Sequence, residues 1–145
     1  MGKHSPNFTQ VNLVVSDMDA TVAFYRRLGL HIEETSPEWA GHHRMAKLPG
    51  EIDLDFDSAE FAAVWDEGWA KHPRRAAVFG FAVPTRAAVD DLYRELTEAG
   101  YVGEQPPHDA FFGSRYAIVQ DPDGNPVGIM SPRDASMRRA QSPPG

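Results

Sequence analysis

Three carboxylates alternate with three apolar residues in Ile52-Asp53-Leu54-Asp55-Phe56-Asp57. Side chains along a strand point to opposite faces in turn, so Ile52, Leu54 and Phe56 are expected against a helix, with Asp53, Asp55 and Asp57 on the other face. A row of acids on such a face is either a solvated surface or the floor of a wet cleft. As a floor, Asp53 and Asp55 would favour a ligand carrying a positive or hydrogen-bond-donating group, or one of them would serve as a general base with His108 or Tyr116 as the acid. Large aromatic side chains outside any helical stripe are the second set. Trp39 sits in the loop Pro37-Glu38-Trp39-Ala40-Gly41, and Phe111 and Phe112 precede Gly113. Trp39 is read either as a lid that stacks on a flat ligand or as a residue packed on the protein or on a dimer partner. Phe111 and Phe112 stand between cleft rim and core. Arg115 is expected either to pair with the aspartates or to hold an anionic group. Ser114 lacks histidine and acid partners at any recognisable spacing, and no glycine-rich phosphate loop occurs. His42 and His43 are neighbours on a strand and point to opposite faces, which argues against a metal pair.

The elements that position these residues come in two similar runs. Thr9 to Val15 is an apolar strand followed by Met18 to Leu28, a helical stripe of Val22, Phe24, Tyr25 and Leu28 stopped by Gly29. Val78 to Val83 is followed by Ala87 to Leu96, with Val89, Leu92, Tyr93 and Leu96 on one face and Gly100 beyond. Short strands come next in each half: Leu30 to Glu34, His43 to Leu48 and Ile52 to Asp57, then Tyr101 to Glu104, Arg115 to Gln120 and Val127 to Met130. Phe24-Tyr25-Arg26-Arg27-Leu28 aligns with Leu92-Tyr93-Arg94-Glu95-Leu96, which marks an internal duplication. The fold class is therefore α+β, with tandem β-α-β-β-β modules forming a curved mixed sheet around a cleft. Module one covers 8–57, a linker 58–75, and module two 76–132. Residues 1–7 and 133–145 are expected to lack fixed structure. Phe61, Val64, Trp65 and Trp69 fall on one helical face of the linker, and Trp65 and Trp69, four apart, are read as core or subunit interface before ligand contacts.

Alternation also assigns the strand faces. Val11, Leu13 and Val15 are expected on the helix, with Gln10, Asn12 and Val14 turned to the cleft. Phe79, Phe81 and Val83 are expected on the helix, with Val78, Gly80 and Ala82 turned away, and Gly128 and Met130 also point to the cleft.

Composition excludes several functions. The chain has 145 residues, no cysteine, and 14 Lys+Arg against 21 Asp+Glu for a formal charge of -7. One domain with a real core fits that length. Thiolate zinc sites, disulfides and cysteine nucleophiles are ruled out, and the acidic balance argues against nucleic acid. No apolar run approaches the roughly 20 residues of a membrane span. The expectation is a cytoplasmic protein whose partner is a small molecule.

The duplicated pattern, Val15-Ser16-Asp17 leading to Ala23-Phe24-Tyr25 and Leu28-Gly29-Leu30, and the late Tyr116-Ala117-Ile118-Val119-Gln120-Asp121-Pro122-Asp123-Gly124-Asn125 resemble the vicinal oxygen chelate superfamily. That superfamily includes glyoxalases, extradiol dioxygenases, fosfomycin-modifying enzymes and drug-binding resistance proteins. The resemblance implies a divalent metal held by residues from the first and last strands of each module, here Gln10, Asp53, Val78 and Gly128. Val78 and Gly128 offer no donor, so the resemblance is to the metal-free, drug-binding branch. Within it, Asp109-Ala110-Phe111-Phe112-Gly113-Ser114-Arg115-Tyr116 is similar to the mitomycin-binding type. What this implies is sequestration of a small aromatic antibiotic or natural product without a cofactor, by a homodimer. The expected contacts are Gln10, Trp39, Asp53, Asp55, His108, Phe111, Phe112, Arg115, Tyr116 and Met130. The alternative is a glyoxalase-like enzyme or a metal-independent lyase or isomerase.

Overall fold

The computed structural model describes residues 4–27, 30–71, 77–120 and 124–144. The Leu28-Gly29 helix stop, residues 72–76 at the end of the linker and the start of module two, and Asp121-Pro122-Asp123 of the late turn lie outside the described residues.

The first half runs β1 (Asn7–Val15), α1 (Met18–Arg27), β2 (His31–Ile32), α2 (Pro37–Ala40), β3 (His43–Lys47) and β4 (Asp53–Ser58). Next comes the linker helix α3 (Ala59–Trp65) with a 3-10 turn at Trp69–Lys71. The second half runs β5 (Ala77–Ala82), α4 (Arg86–Glu98), β6 (Gly103–Asp109), β7 (Arg115–Gln120) and β8 (Pro126–Met130), and a 3-10 turn follows at Ala135–Met137. All eight strands join one sheet in the order β2-β3-β4-β1-β5-β8-β7-β6. The order reads the same from either end when each strand of module one is exchanged with its counterpart in module two, β1 with β5 through β4 with β8, so the duplication in the sequence is a duplication in space. β1 and β4 are parallel, as are β5 and β8, and β1 lies antiparallel to β5 within the one chain.

Helix starts follow the chain's own caps. Asp17 Oδ1 accepts from Ala20 N at 3.0 Å, Ser58 Oγ from Phe61 N at 3.1 Å and Thr85 Oγ1 from Ala88 N at 3.0 Å, satisfying amides that a helix leaves unpaired. Strand parity divides the apolar residues as expected in module one. Phe56, with Leu13, Val15 and Leu54, packs under α1 against Met18 and Val22. In module two Val83, Ala117, Val119 and Ile129 pack on Val89 and Leu92 of α4. The third cluster fills the concave face: Phe61, Ala62, Trp65 and Trp69 from the linker against Val78, Ala110, Tyr116 and Ile118.

Several expectations are corrected. Val64 is 41% exposed because the buried linker stripe runs through Phe61, Ala62 and Trp65. Phe79 is 40% exposed; α4 packs on β6, β7 and β8, and Phe79 and Phe81 meet the Phe8 ring instead, at 6.1 and 5.4 Å between centroids. β2 is two residues long, and the exposed Glu33 and Glu34 beyond it pair with Lys47 and Arg26. β6 continues through Pro106-Pro107 with register shifts between Gln105 and His108; an edge strand tolerates proline because its outer amides have no ladder partner. Asn7, expected in a loose terminus, begins β1 opposite Ala82.

The C-terminal segment also departs from expectation. Its composition suggested disorder, but residues 133–144 follow a defined path. Asp134 N donates to Gly113 O at 2.9 Å and Arg139 N to Phe111 O at 2.8 Å, while Arg139 Nη2 donates to Asp109 O at 2.7 Å. Gly113 has φ +93, and a Cβ there would lie 2.5 Å from Asp134 O. The β6–β7 turn and the tail therefore fit together only with glycine at this position.

A candidate ligand cleft floored by acids and walled by aromatics

The concave face of the sheet encloses a cavity of about 500 Å³. Its floor comes from β1, β3 and β4. Asp57 is fully buried and accepts from Asn12 Nδ2 at 2.8 Å. His43 Nδ1 stands 2.5 Å from Asp57 Oδ1. The pairing follows from the β3–β4 hairpin, in which residues equidistant from Gly50 face each other, His43 with Asp57 and Met45 with Asp55. Gln10 Nε2 donates to Asn12 Oδ1 at 2.6 Å and to Asp55 Oδ2 at 3.2 Å. Asp55 is 4% exposed, and its Oδ1 has no partner. A buried acceptor left unmade costs free energy until a donor reaches it.

Two groups on this floor titrate away from their ordinary values. Burial pushes the Asp55 carboxyl up to about 7, with the neighbouring charges of Asp57 and Asp53 in the same direction and His43 and Arg133 opposing. For His43, burial pulls downward, but the hydrogen bond to Asp57 and the charges of Asp57 and Asp55 outweigh it and the imidazole is raised. Tyr116 at the far side is raised by burial first, then by Asp66, Asp57 and Glu104, and stays a neutral phenol.

Aromatic rings wall the remaining space. Trp39 on α2 meets Phe61 edge-on at 5.0 Å, Phe61 lies 6.2 Å from Phe111, Phe111 5.3 Å from Phe112, and Phe112 5.5 Å from Tyr116. Trp65 closes the chain of rings, 6.5 Å from Tyr116. Met45 and Met130 complete the apolar lining, and Thr35, Arg133, Arg138, Arg139, Ala140 and Gln141 form the rest of the boundary.

Of the residues expected at the site, Gln10, Trp39, Asp55, Phe111, Phe112, Tyr116 and Met130 line this cavity. Asp53, His108 and Arg115 do not. Asp53 shares its face with Asp55 and Asp57 but opens β4 at the exposed end. Arg115 precedes Tyr116 on β7 and therefore points to the opposite face, where its Nε donates to Asp90 Oδ1 at 3.0 Å and its Nη1 to Asp109 Oδ1 at 3.2 Å. His108 lies on the edge strand opposite Tyr116, its Nδ1 3.2 Å from the Tyr116 carbonyl oxygen. Sequence reasoning missed His43, Met45 and the tail arginines as lining residues. The hairpin count about Gly50 was the available signal for the first two; nothing local marked the arginines.

The register also revises the positions that the resemblance assigned to a metal. Gly80 pairs with Gly128 as Asn12 pairs with Asp55, so the counterpart of Gly128 in module one is Asp55, not Asp53. The set becomes Gln10, Asp55, Val78 and Gly128. Two of the four have no donor atom, and Gln10 turns its amide nitrogen toward Asp55. A Cβ at Gly128 would stand 2.8 Å from Tyr116 Oη, so the phenol occupies the space above that position. Among the described residues no group of three or more His, Asp or Glu side chains is arranged to hold a metal ion. This donor set does not fit the divalent ion of the metal-bearing relatives. Also among the described residues, no helix is long and apolar enough to cross a membrane.

Comparison with known proteins agrees with the architecture. Residues 7–129 match the family model of the Glyoxalase/Bleomycin resistance protein/Dioxygenase superfamily. An uncharacterized Pseudomonas aeruginosa protein, PA2024, is 33% identical over 129 residues, 85% of this chain and 86% of that protein. A glyoxalase/bleomycin resistance protein/dioxygenase superfamily member from Vibrio splendidus superposes with a TM-score of 0.60 at 15% identity, covering 88% of this chain and 100% of that one. The Mn(II)-bound glyoxalase from Novosphingobium aromaticivorans gives 0.59 at 19% identity, covering 96% of this chain and 42% of that one. At such identities the two structures speak for the fold. The duplicated sheet, the cleft on its concave face and the match across nearly the whole chain lead to one conclusion: this chain belongs to the glyoxalase/bleomycin resistance/dioxygenase superfamily.

Proposed function

We propose that the cleft binds and sequesters a small planar aromatic compound, of the natural-product antibiotic kind, without converting it. The observation that carries this reading is the unpartnered Asp55 Oδ1 at the foot of a wall made of Trp39, Phe61, Trp65, Phe111, Phe112 and Tyr116. A flat ring system would stack between Trp39 and the Phe111–Phe112 pair while a donor on its inner edge meets Asp55. Each ring contact adds about 0.5–1.5 kcal/mol beyond area burial; micromolar retention needs about 8 kcal/mol, and the apolar area that the ligand buries supplies the larger part. The donor set at the metal positions supports binding over metal-assisted turnover.

The test is tryptophan fluorescence quenching by planar natural products, repeated with Trp39→Ala and Phe112→Ala, followed by chromatography of the recovered ligand. Saturable quenching, weakened about tenfold in each variant, with the ligand recovered unchanged, is the expected result. Quenching unaffected by both substitutions would sink the stacking geometry.

A second reading has its own observation. Asp57 fixes His43 by one ring nitrogen beside Asp55, a carboxyl held near neutrality, which is the arrangement of a metal-independent acid–base pair for isomerase or lyase chemistry. Recovery of an altered ligand, abolished by His43→Ala, would favour it.

A further inference from the structure

The rim of the cleft carries charge of the sign opposite to its floor and to the chain as a whole. Arg133 and Arg138 both border the cavity. Neither makes an ion pair or a side-chain hydrogen bond with any described residue. The carboxylates around the β6–β7 turn that anchors the tail are already engaged. Asp109 is taken by Arg86 and Arg115, Asp90 by Arg115, and Asp134 accepts from Ser136 N and Oγ at 2.9 and 2.6 Å. Among the described residues the only acids in the lining are Asp55 and Asp57, and Asp57 is committed to His43 and Asn12.

The arginines are held at the rim by backbone, not by chance contact. Asp134 N and Arg139 N are tied to Gly113 O and Phe111 O, on either side of the turn that supplies the aromatic wall. Arg139 spends its guanidinium on the Asp109 carbonyl as part of that anchor, which leaves Arg133 and Arg138 as the free cations of the rim among the described residues. Arg133 is near enough for its charge to be felt at both Asp55 and His43.

We infer that Arg133 and Arg138 form an anion subsite at the cleft mouth, so that the aromatic occupant carries an acidic substituent, a carboxylate, sulfonate or phosphate ester, on its outer edge. This rests on the aromatic-binding reading and adds polarity to it: donor inward, anion outward. A guanidinium facing an oxyanion makes charge-assisted bonds that a neutral ring cannot.

Two probes that differ by one group separate the two ideas. 8-Anilinonaphthalene-1-sulfonate has an aromatic body, an N–H donor and a sulfonate, and N-phenyl-1-naphthylamine is the same body without the sulfonate. Binding of each is followed by probe fluorescence and tryptophan quenching in the full-length protein and in Arg133→Gln/Arg138→Gln. The expected result is affinity for the sulfonate at least about tenfold higher, falling with ionic strength, and reduced to that of the neutral probe in the double variant. Neutral-probe affinity stays the same in both proteins. Equal affinities in the unmodified protein, or a sulfonate preference that survives the double substitution, overturns the anion subsite while the aromatic cleft stands. Failure of both probes to bind overturns the cleft reading and the subsite with it.

Discussion

The two modules repeat a backbone and present unlike chemistry to the cleft they share. On β1 the cleft-facing residues are Gln10 and Asn12, where β5 has Val78 and Gly80; on β4 they are Asp55 and Asp57, where β8 has Gly128 and Met130. Module one thus contributes a hydrogen-bonded network of amides, carboxylates and an imidazole. Module two contributes apolar residues and glycines, with Gly128 leaving room for the Tyr116 phenol. A symmetric site would place matching donors on both sides of the β1–β5 seam. This chain has one polar half and one apolar half, and such a cleft orients an unsymmetrical ligand.

The sharpest way to break the contrast is on the apolar side. Tyr116→Ala removes a buried ring that contacts Trp65, Phe112 and the Gly128 backbone, with an expected loss of about 3–5 kcal/mol read by chemical denaturation. If the loss were under about 1 kcal/mol, module two's face would not be a packed core.

The polar side is read through pH. Asp55 has a folded pKa of about 7 against an ordinary 3.8. A carboxyl raised on folding binds its proton more tightly in the native state, so stability is highest below the unfolded value and falls as pH climbs toward 7. His43, also raised, contributes stability below its ordinary 6.5 that is lost as pH rises above it. Both slopes therefore have the same sign. The fall between pH 4 and 8 is at most about 4 kcal/mol for Asp55, and Asp55→Asn should flatten it while raising the melting temperature at pH 8. A melting temperature that rises from pH 4 to 8 would contradict the buried, near-neutral carboxyl.

A smaller effect is expected at Asn12. Asn12→Ala deprives Asp57 of one of its two side-chain donors, with an expected cost of about 1–3 kcal/mol and a shift in the His43 ring resonances followed by NMR. Unchanged His43 signals would mean that Asp57 and Asn12 do not act as one network.

Alternation along β1 and β4 carried most of the fold and the polar floor in the sequence itself, because period-2 patterning is local and one face is buried. Depth along a strand is not local. Asp53, Asp55 and Asp57 have the same parity, yet only the latter two lie under the linker helix and aromatic wall. The opposite failure occurs at Arg115, whose neighbour Tyr116 faces the cleft; parity alone would have turned Arg115 away. His43 depended on hairpin register, legible from Gly50 once the turn was centred there. The tail was illegible for a physical reason: its hydrogen bonds are made by backbone groups to the Phe111–Gly113 turn, and backbone partners leave no trace in side-chain composition.

The antiparallel pairing of β1 with β5 has a consequence for how the protein comes to be. β1 precedes the other described strands in the chain, but its two sheet neighbours are the last strand of its own module and the first strand of the next. Neither half alone has both the acid floor and the ring wall, and the arginines of the rim follow both halves in the chain. During synthesis the cleft cannot exist until the residues from Gln10 to Gln141 have all left the ribosome. Its formation waits on contacts distant in sequence, which fold slowly. A ligand that fits the completed cleft would stabilise only the finished chain and would have nothing to grip in a nascent half.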